Sequence, residues 1–252
     1  MVHFVGAGCG AADLITLRGK RLIETADVII YAGSLVSPEL LQYAKAGCGI
    51  HNSAVMTLDE VIDVMRAAEA EGKTTVRLHT GDPSIYGAIR EQMDRLAALG
   101  IEYDVCPGVS SFCGAAAALG AEFTLPNVSQ TVILTRMEGR TPVPAAESIE
   151  SLSAHRSSMV IFLSTGMLPE LSARLVKGGW QKDDPAAIVY KATWADEKVC
   201  RCTVGTLAET AEKNGITKTA LILVGGFLGD DYSLSKLYDP AFETGYRKAK
   251  EE

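Results

Sequence analysis

Long apolar runs are missing from this chain of 252 residues. Its most apolar early stretch, VIIYAGSLV, is far shorter than the roughly 20 residues that a membrane helix needs, so no membrane partner is expected. Blocks of Lys or Arg are missing too, and the net charge is −7, which argues against a nucleic-acid partner held by a basic surface. An anionic small molecule stays open, because a pocket needs only a few local cations. The six cysteines (Cys9, Cys48, Cys106, Cys113, Cys200, Cys202) contain no CxxC pair and no zinc spacing. No metal site is therefore expected, and free thiols in a cytoplasmic protein are the expected state. His3, His51, His79 and His155 are scattered without metal-ligand spacing, GxSxG is absent, and no Ser-His-Asp or Cys-His set is forced. The opening residues MVHFVGAG lack a basic region and start at once as a strand, so they do not read as a signal peptide.

Hydrophobic residues make up 47% of the chain, enough for a substantial core. Short apolar segments alternate with amphipathic ones, the pattern of an α/β protein. Strands are expected at 3–7, 27–32, 74–79, 101–106, 131–136, 158–164, 186–192 and 220–226, with a further one in VCRCTV. One helix is legible from end to end: Thr57-Leu-Asp-Glu60 is a capping box, Leu58, Val61, Ile62, Met65 and Ala68 form one stripe, and Gly72 is the stop. A second box, Thr206-Leu-Ala-Glu209, predicts a short helix ending at Asn214-Gly215. Small residues crowd 106–130, where two lobes could meet, and EGRTPVPAAES at 138–148 reads as a loop. The tail YRKAKEE is charged and reads as frayed.

The strand ends carry the chemistry. FVGAGCGAADL places Gly6, Gly8 and Ala11 in the spacing of a dinucleotide fingerprint. A dehydrogenase would need an acid at the end of the next strand, yet Asp27 stands at its start, which disfavours nicotinamide chemistry. In RLHTGDPSIYGA, Asp82 and Pro83 are the preferred residues for a helix cap and first turn, with Ile85, Ala88, Ile89 and Leu96 as its face. Capping explains neither Gly81 nor Thr80, which stand where open α/β sheets bind ligands. In PGVSSF, Ser110 or Ser111 either caps the next helix or lines a polar pocket. Arg136, Glu138 and Arg140 leave one strand end together, as a solvated loop or as a carboxylate clamp. Lys191 and Trp194 leave another. A noncatalytic binding module with merely capped turns remains an alternative.

Together, VGAGxG…LTLRG, ADVIIYAGSLV, RLHTGDPSIYG, PGVSSFxxAAAALG, SQTVILTRMEGRTPVP and VYKATWADEK resemble the tetrapyrrole C-methyltransferases of cobalamin biosynthesis. The resemblance runs from about residue 2 to about 242, and TRMEGRTP and YKATWADE are similar to the group that alkylates ring carbon 11 of precorrin-4 or its cobalt complex. It implies two α/β lobes with an inter-domain cleft, 1–115 and 116–242, followed by a charged tail at 243–252. It also implies S-adenosylmethionine as methyl donor, S-adenosylhomocysteine as its product, a tetrapyrrole as substrate, and a homodimer.

Carried over by position, donor contacts fall on Cys9, Thr80, Gly81, Asp82, Ile85, Ser110, Ser111, Ser164, Ala192, Thr219 and Ala220. Cys9 departs from the proline usual at that position, which implies altered local stiffness. Tyr31, Ser34, Arg136 and Glu138 are the candidates for helping the chemistry, and Arg136, Arg140 and Lys191 for holding the substrate's carboxylates. A methyltransferase of the same family with another ring carbon or a macromolecule as target is the nearest rival. The lack of a basic patch counts against an RNA target.

Overall fold

The computed structural model describes residues 1–249, so the end of the charged tail lies outside the described residues. Two compact units emerge. The first comprises Met1–Ala117 together with Lys191–Glu197; the second comprises Ala118–Tyr190 and the described residues from Lys198 onward.

The first unit is built on five parallel strands, β1 (Val2–Gly6), β2 (Val28–Tyr31), β3 (Gly49–Asn52), β4 (Thr75–His79) and β5 (Tyr103–Cys106), in the order β3-β2-β4-β1-β5. Strand alternation sorts their side chains onto two faces. Val5, Ile29, Val76 and Leu78 pack with Ile23 of α1 (Leu17–Thr25). Phe4, Ile30 and Val28 pack with Val61, Ile62 and Met65 of α2 (Leu58–Ala70) and Leu96 of α3 (Ile89–Ala98). Both faces are covered, as parallel sheets require. The helix α4 (Ser111–Leu119) follows β5 and contains the boundary between the units.

The second unit has a mixed sheet of β6 (Val132–Arg136), β7 (Ser158–Phe162), β8 (Pro185–Tyr190), β9 (Lys198–Thr203) and β10 (Ala220–Val224), in the order β6-β7-β10-β8-β9. Only β6 and β7 pair in parallel. Met159, Ile161, Ile188 and Ile222 pack with Ile149 of α5 (Ile149–Ser153), Leu171 and Leu175 of α6 (Leu168–Lys177) and Leu207 of α7 (Leu207–Lys213). Cys200 and Cys202 share that face, as their spacing predicts, and all six cysteines are free, with Cys113 exposed.

Three local expectations are corrected. The strand β3 escapes the sequence pattern because its four residues form a sheet edge without apolar alternation. No helix begins at Asp82-Pro83: residues 83–86 make one turn, Tyr86 and Ala88 take left-handed backbone (φ 55° and 49°), and α3 starts only at Ile89. The box assigned to Thr206 forms one turn earlier, where Thr203 and Thr206 cap each other. With the Thr206 hydroxyl so engaged, Glu209 pairs with Lys213 instead. The box at Thr57 forms as expected, with Glu60 reaching back to the Thr57 amide and Val61, Ile62, Met65 and Ala68 buried.

Candidate active site

The carboxyl edge of the first sheet is stripped to backbone. A Cβ at Gly6 would lie 2.6 Å from Cα of Gly108, and one at Gly108 would lie 2.3 Å from the carbonyl oxygen of Gly81. These three glycines come from the ends of β1, β5 and β4, so the ends can touch only where side chains are absent. The Gly8 and Gly81 backbones then exchange hydrogen bonds of 3.2 and 2.8 Å. Gly81 holds φ at +61°, and a Cβ there would stand 3.3 Å from the Ser111 amide nitrogen. The fingerprint spacing of Gly6, Gly8 and Ala11 therefore serves strand-end packing. It is no pyrophosphate cradle, because α1 begins only at Leu17, capped by Thr16. Asp27 is likewise accounted for at the opposite edge, where it accepts from Lys45 and from the Thr74 amide.

Asp82 organises this edge. One carboxylate oxygen accepts from the amide of Ser84 at 2.9 Å and from its hydroxyl; the other accepts from the Gly108 amide at 2.9 Å. Burial alone would push the Asp82 carboxyl up, but the bonds from Ser84 and Gly108 outweigh it and hold it below the ordinary carboxylate value. Asp82 is thus ionised at neutral pH and ties the turn after β4 to the turn after β5. Just beyond, buried Ser110 occupies the start of α4, its carbonyl accepting from the amides of Cys113 and Gly114. Thr80 and Ile85 flank Asp82 and are half-buried.

The segment 191–197 completes the same unit. The Ala11 amide donates to the Thr193 hydroxyl at 3.0 Å, and that hydroxyl faces Cys9 Sγ at 3.6 Å. A Cβ on Gly10 would strike Trp194, and one on Gly114 would lie 2.8 Å from Cβ of Cys9 and 3.5 Å from that of Ala192. Cys9, Gly81, Asp82, Ser110, Ser111 and Ala192 are thereby brought onto one connected set of loops. Lys191 pairs with Asp196 at 2.6 Å and lies over the Trp194 ring.

The remaining candidates are more dispersed. Tyr31 ends β2, and Ser34 is exposed in the turn that follows. In the second unit, Arg136 donates to the carbonyls of Met137, Thr141 and Pro142, which shapes the loop from inside. Glu138 pairs with Arg174 at 3.0 Å. Arg140 is exposed, with no ion-pair partner among the described residues. Ser164 is 0% exposed; it donates to the Phe162 carbonyl and accepts from the Met137 amide at 2.9 Å, so its hydroxyl is fully engaged. Thr219 (φ 58°) precedes Ala220, whose carbonyl accepts from Thr165. Sequence reasoning missed Thr193 and Gly108. Gly108 stood in view within PGVSS, but nothing local announces its partners 26 and 102 residues earlier.

A parallel sheet whose carboxyl edge is reduced to backbone and carries hydroxyls and an ionised carboxylate places this chain among the open-sheet α/β proteins, the class in which strand ends are where small molecules bind. The chain belongs to the tetrapyrrole (corrin/porphyrin) methylases, whose family model matches residues 1–208. It is 54% identical over 249 residues to the cobalt-precorrin-4 C(11)-methyltransferase of Methanocaldococcus jannaschii, covering 98% of this chain and 96% of that one. Identity to the precorrin-4 C(11)-methyltransferase of a Sinorhizobium species is 46% over 248 residues, covering 98% of each chain. A solved cobalt precorrin-4 methyltransferase, described as a cobalamin biosynthetic enzyme, matches with TM-score 0.89 and 45% identity, covering 91% of this chain and 96% of that one.

Proposed function

We propose that this protein methylates precorrin-4 at ring carbon 11, with the cobalt complex as its natural substrate, giving cobalt-precorrin-5 in cobalamin biosynthesis. The observation that carries this is 54% identity sustained over 98% of the chain to an enzyme named for that reaction. The methyl donor is S-adenosylmethionine, which supplies an electrophilic methyl group on a sulfonium sulfur. The first unit suits such a zwitterionic cation. Thr80, Ser110 and Ser111 offer hydroxyls, Asp82 is ionised, and the space beside Gly81 is one that a Cβ would fill. Cys9, Ile85 and Ala192 complete the donor-binding set in that unit.

Methyl transfer needs no covalent enzyme intermediate, so the lack of a nucleophile set is consistent with it. The chain's contribution is orientation and exclusion of water, which can be worth up to roughly 7–11 kcal/mol. Of Tyr31, Ser34, Arg136 and Glu138, Arg136 is engaged within its own loop and Glu138 with Arg174 of α6. Tyr31 and Ser34 keep their hydroxyls uncommitted among the described residues, and we assign the relay to them. Arg140 and Lys191 orient the substrate's carboxylates, and Arg136 holds the loop that presents Arg140. The working enzyme is a cytoplasmic homodimer, a state that light scattering tests directly. No described helix is long and apolar enough to cross a membrane.

The test is turnover with S-adenosylmethionine and either cobalt-precorrin-4 or precorrin-4, scored by mass for one added methyl. Product from the cobalt complex supports the full reading. Product from the metal-free compound alone moves the substrate, and none from either removes the assignment.

A further inference from the structure

Beneath the turn that carries Asp82, the buried Arg77 has no carboxylate partner among the described residues. Its guanidinium donates to the Ile30 carbonyl at 3.2 Å and, through Nε, to Oε1 of Gln92 at 3.1 Å. Guanidinium groups only donate, so Arg77 fixes which way the Gln92 amide points: the oxygen faces the arginine and the NH2 group faces away. That NH2 donates to the carbonyl of Ala88 at 3.0 Å. Ala88 and Tyr86, on either side of Gly87, both take left-handed backbone although neither is glycine. Gly87 itself is hemmed in, because a Cβ there would come within 2.1 Å of the Pro83 carbonyl oxygen. Such backbone persists only where its surroundings hold it.

We propose that Gln92 is a positioning residue for methyl-donor binding: with its amide oriented by Arg77, it holds Ala88 and thereby the turn from Asp82 to Ile85. The proposal rests on reading that turn as part of the donor site. The chain of contacts runs from the sheet interior to the turn, and every group in it is buried or backbone except the exposed Ala88 side chain.

Gln92→Glu separates holding Arg77 from holding Ala88. The glutamate still accepts from Arg77, so that contact is kept and the melting temperature should fall by no more than the roughly 2–4 °C that one lost hydrogen bond is worth in a chain of this size. Its second oxygen faces the Ala88 carbonyl and cannot donate. Calorimetric titration with S-adenosylhomocysteine should show affinity about 5- to 10-fold weaker, the equivalent of one hydrogen bond. The donor KM should rise, with kcat at saturating donor and the tetrapyrrole KM unchanged. Ala88→Gly in the Gln92→Glu background should recover most of the affinity, because glycine takes φ 49° unaided. Ala88→Val, at an exposed position, leaves the Arg77–Gln92 contact intact and should weaken donor binding through the backbone alone. Wild-type affinity in Gln92→Glu or in Ala88→Val overturns the proposal, as does a loss that Ala88→Gly fails to recover. If the wild-type protein itself binds no S-adenosylhomocysteine, the donor site is lost as well, and the two failures are distinguishable.

Discussion

Asp82→Asn changes one atom and separates two descriptions of the turn after β4. If Asp82 only capped a helix, asparagine would serve as well, since both are good caps. Here the carboxylate uses both oxygens, one for Ser84 and the other for the Gly108 amide at 2.9 Å. Asparagine keeps one oxygen. With that oxygen on Ser84, its NH2 group meets the Gly108 N–H, donor against donor. Gly108 has no room to shift inward, because it already touches Gly6 and Gly81. The turn must therefore open outward, carrying Ser110 and Ser111 with it.

A hydrogen bond to a charged group contributes about 1.5–3 kcal/mol, and Asp82 is only partly buried, so we expect the low end, about 1.5 kcal/mol. In a chain of this size that lowers the melting temperature by roughly 3–6 °C. The donor affinity should fall with it. The sign of the pH dependence is fixed by the lowered carboxyl value. The stabilisation is fully present above the unfolded value near 3.8 and is lost as pH falls through the lower folded value. The gap between wild type and Asp82→Asn should therefore be full at neutral pH and close below about pH 4. Calorimetric melting across pH, with S-adenosylhomocysteine titration at neutral pH, makes the measurement. An Asp82→Asn protein with wild-type melting and wild-type affinity would refute the bridging role.

Gly81→Val places a branched side chain where φ is +61° and Ser111 is 3.3 Å away, so S-adenosylhomocysteine binding should vanish; retained binding in the titration would remove Gly81 from the site. Ser164→Ala leaves the buried Met137 amide without its acceptor and should cost about 1–3 kcal/mol in urea unfolding, whereas an unchanged midpoint would count against the contact. Burial, then the neighbouring Arg77 charge, pushes His79 down to about 3, so it stays neutral in the folded state while the unfolded chain takes up a proton below 6.5. Stability should decline as pH falls from about 6.5 toward 3, and His79→Gln should flatten that slope in pH-dependent melting. Tyr31→Phe should lower kcat with the donor KM unchanged in steady-state assays, and wild-type kcat would exclude Tyr31 from proton movement.

What the sequence disclosed divides by distance along the chain. The box at Thr57 and the stripe Val61, Ile62, Met65 and Ala68 are local, and they stand as read. The misplaced helix start at Asp82 is only half local: Ser84 takes one carboxylate oxygen as a cap would, but left-handed Tyr86 and Ala88 end the turn, and the other oxygen is held by Gly108, 26 residues on. Thr206 offers a smaller version: its hydroxyl accepts from the amide of Thr203, a residue that precedes the Thr-x-x-Glu box. The glycine spacing at 6 and 8 was visible, but its reason is contact among three strand ends. Thr80, Gly81, Ser110 and Ser111 are legible as candidates because strand ends in open sheets are where ligands go. Thr193 is not, since its partner Ala11 is 182 residues away.

That last separation sets an order of events during synthesis. All five strands of the first sheet have been made once Cys106 is in place, yet the loop holding Cys9, Gly10 and Ala11 still lacks its cover. The cover arrives only after β8, when Thr193 and Trp194 leave the ribosome. The earliest part of the chain is thus among the last to become finished, and a nascent chain stalled before residue 193 would present a formed sheet with an unsealed glycine loop.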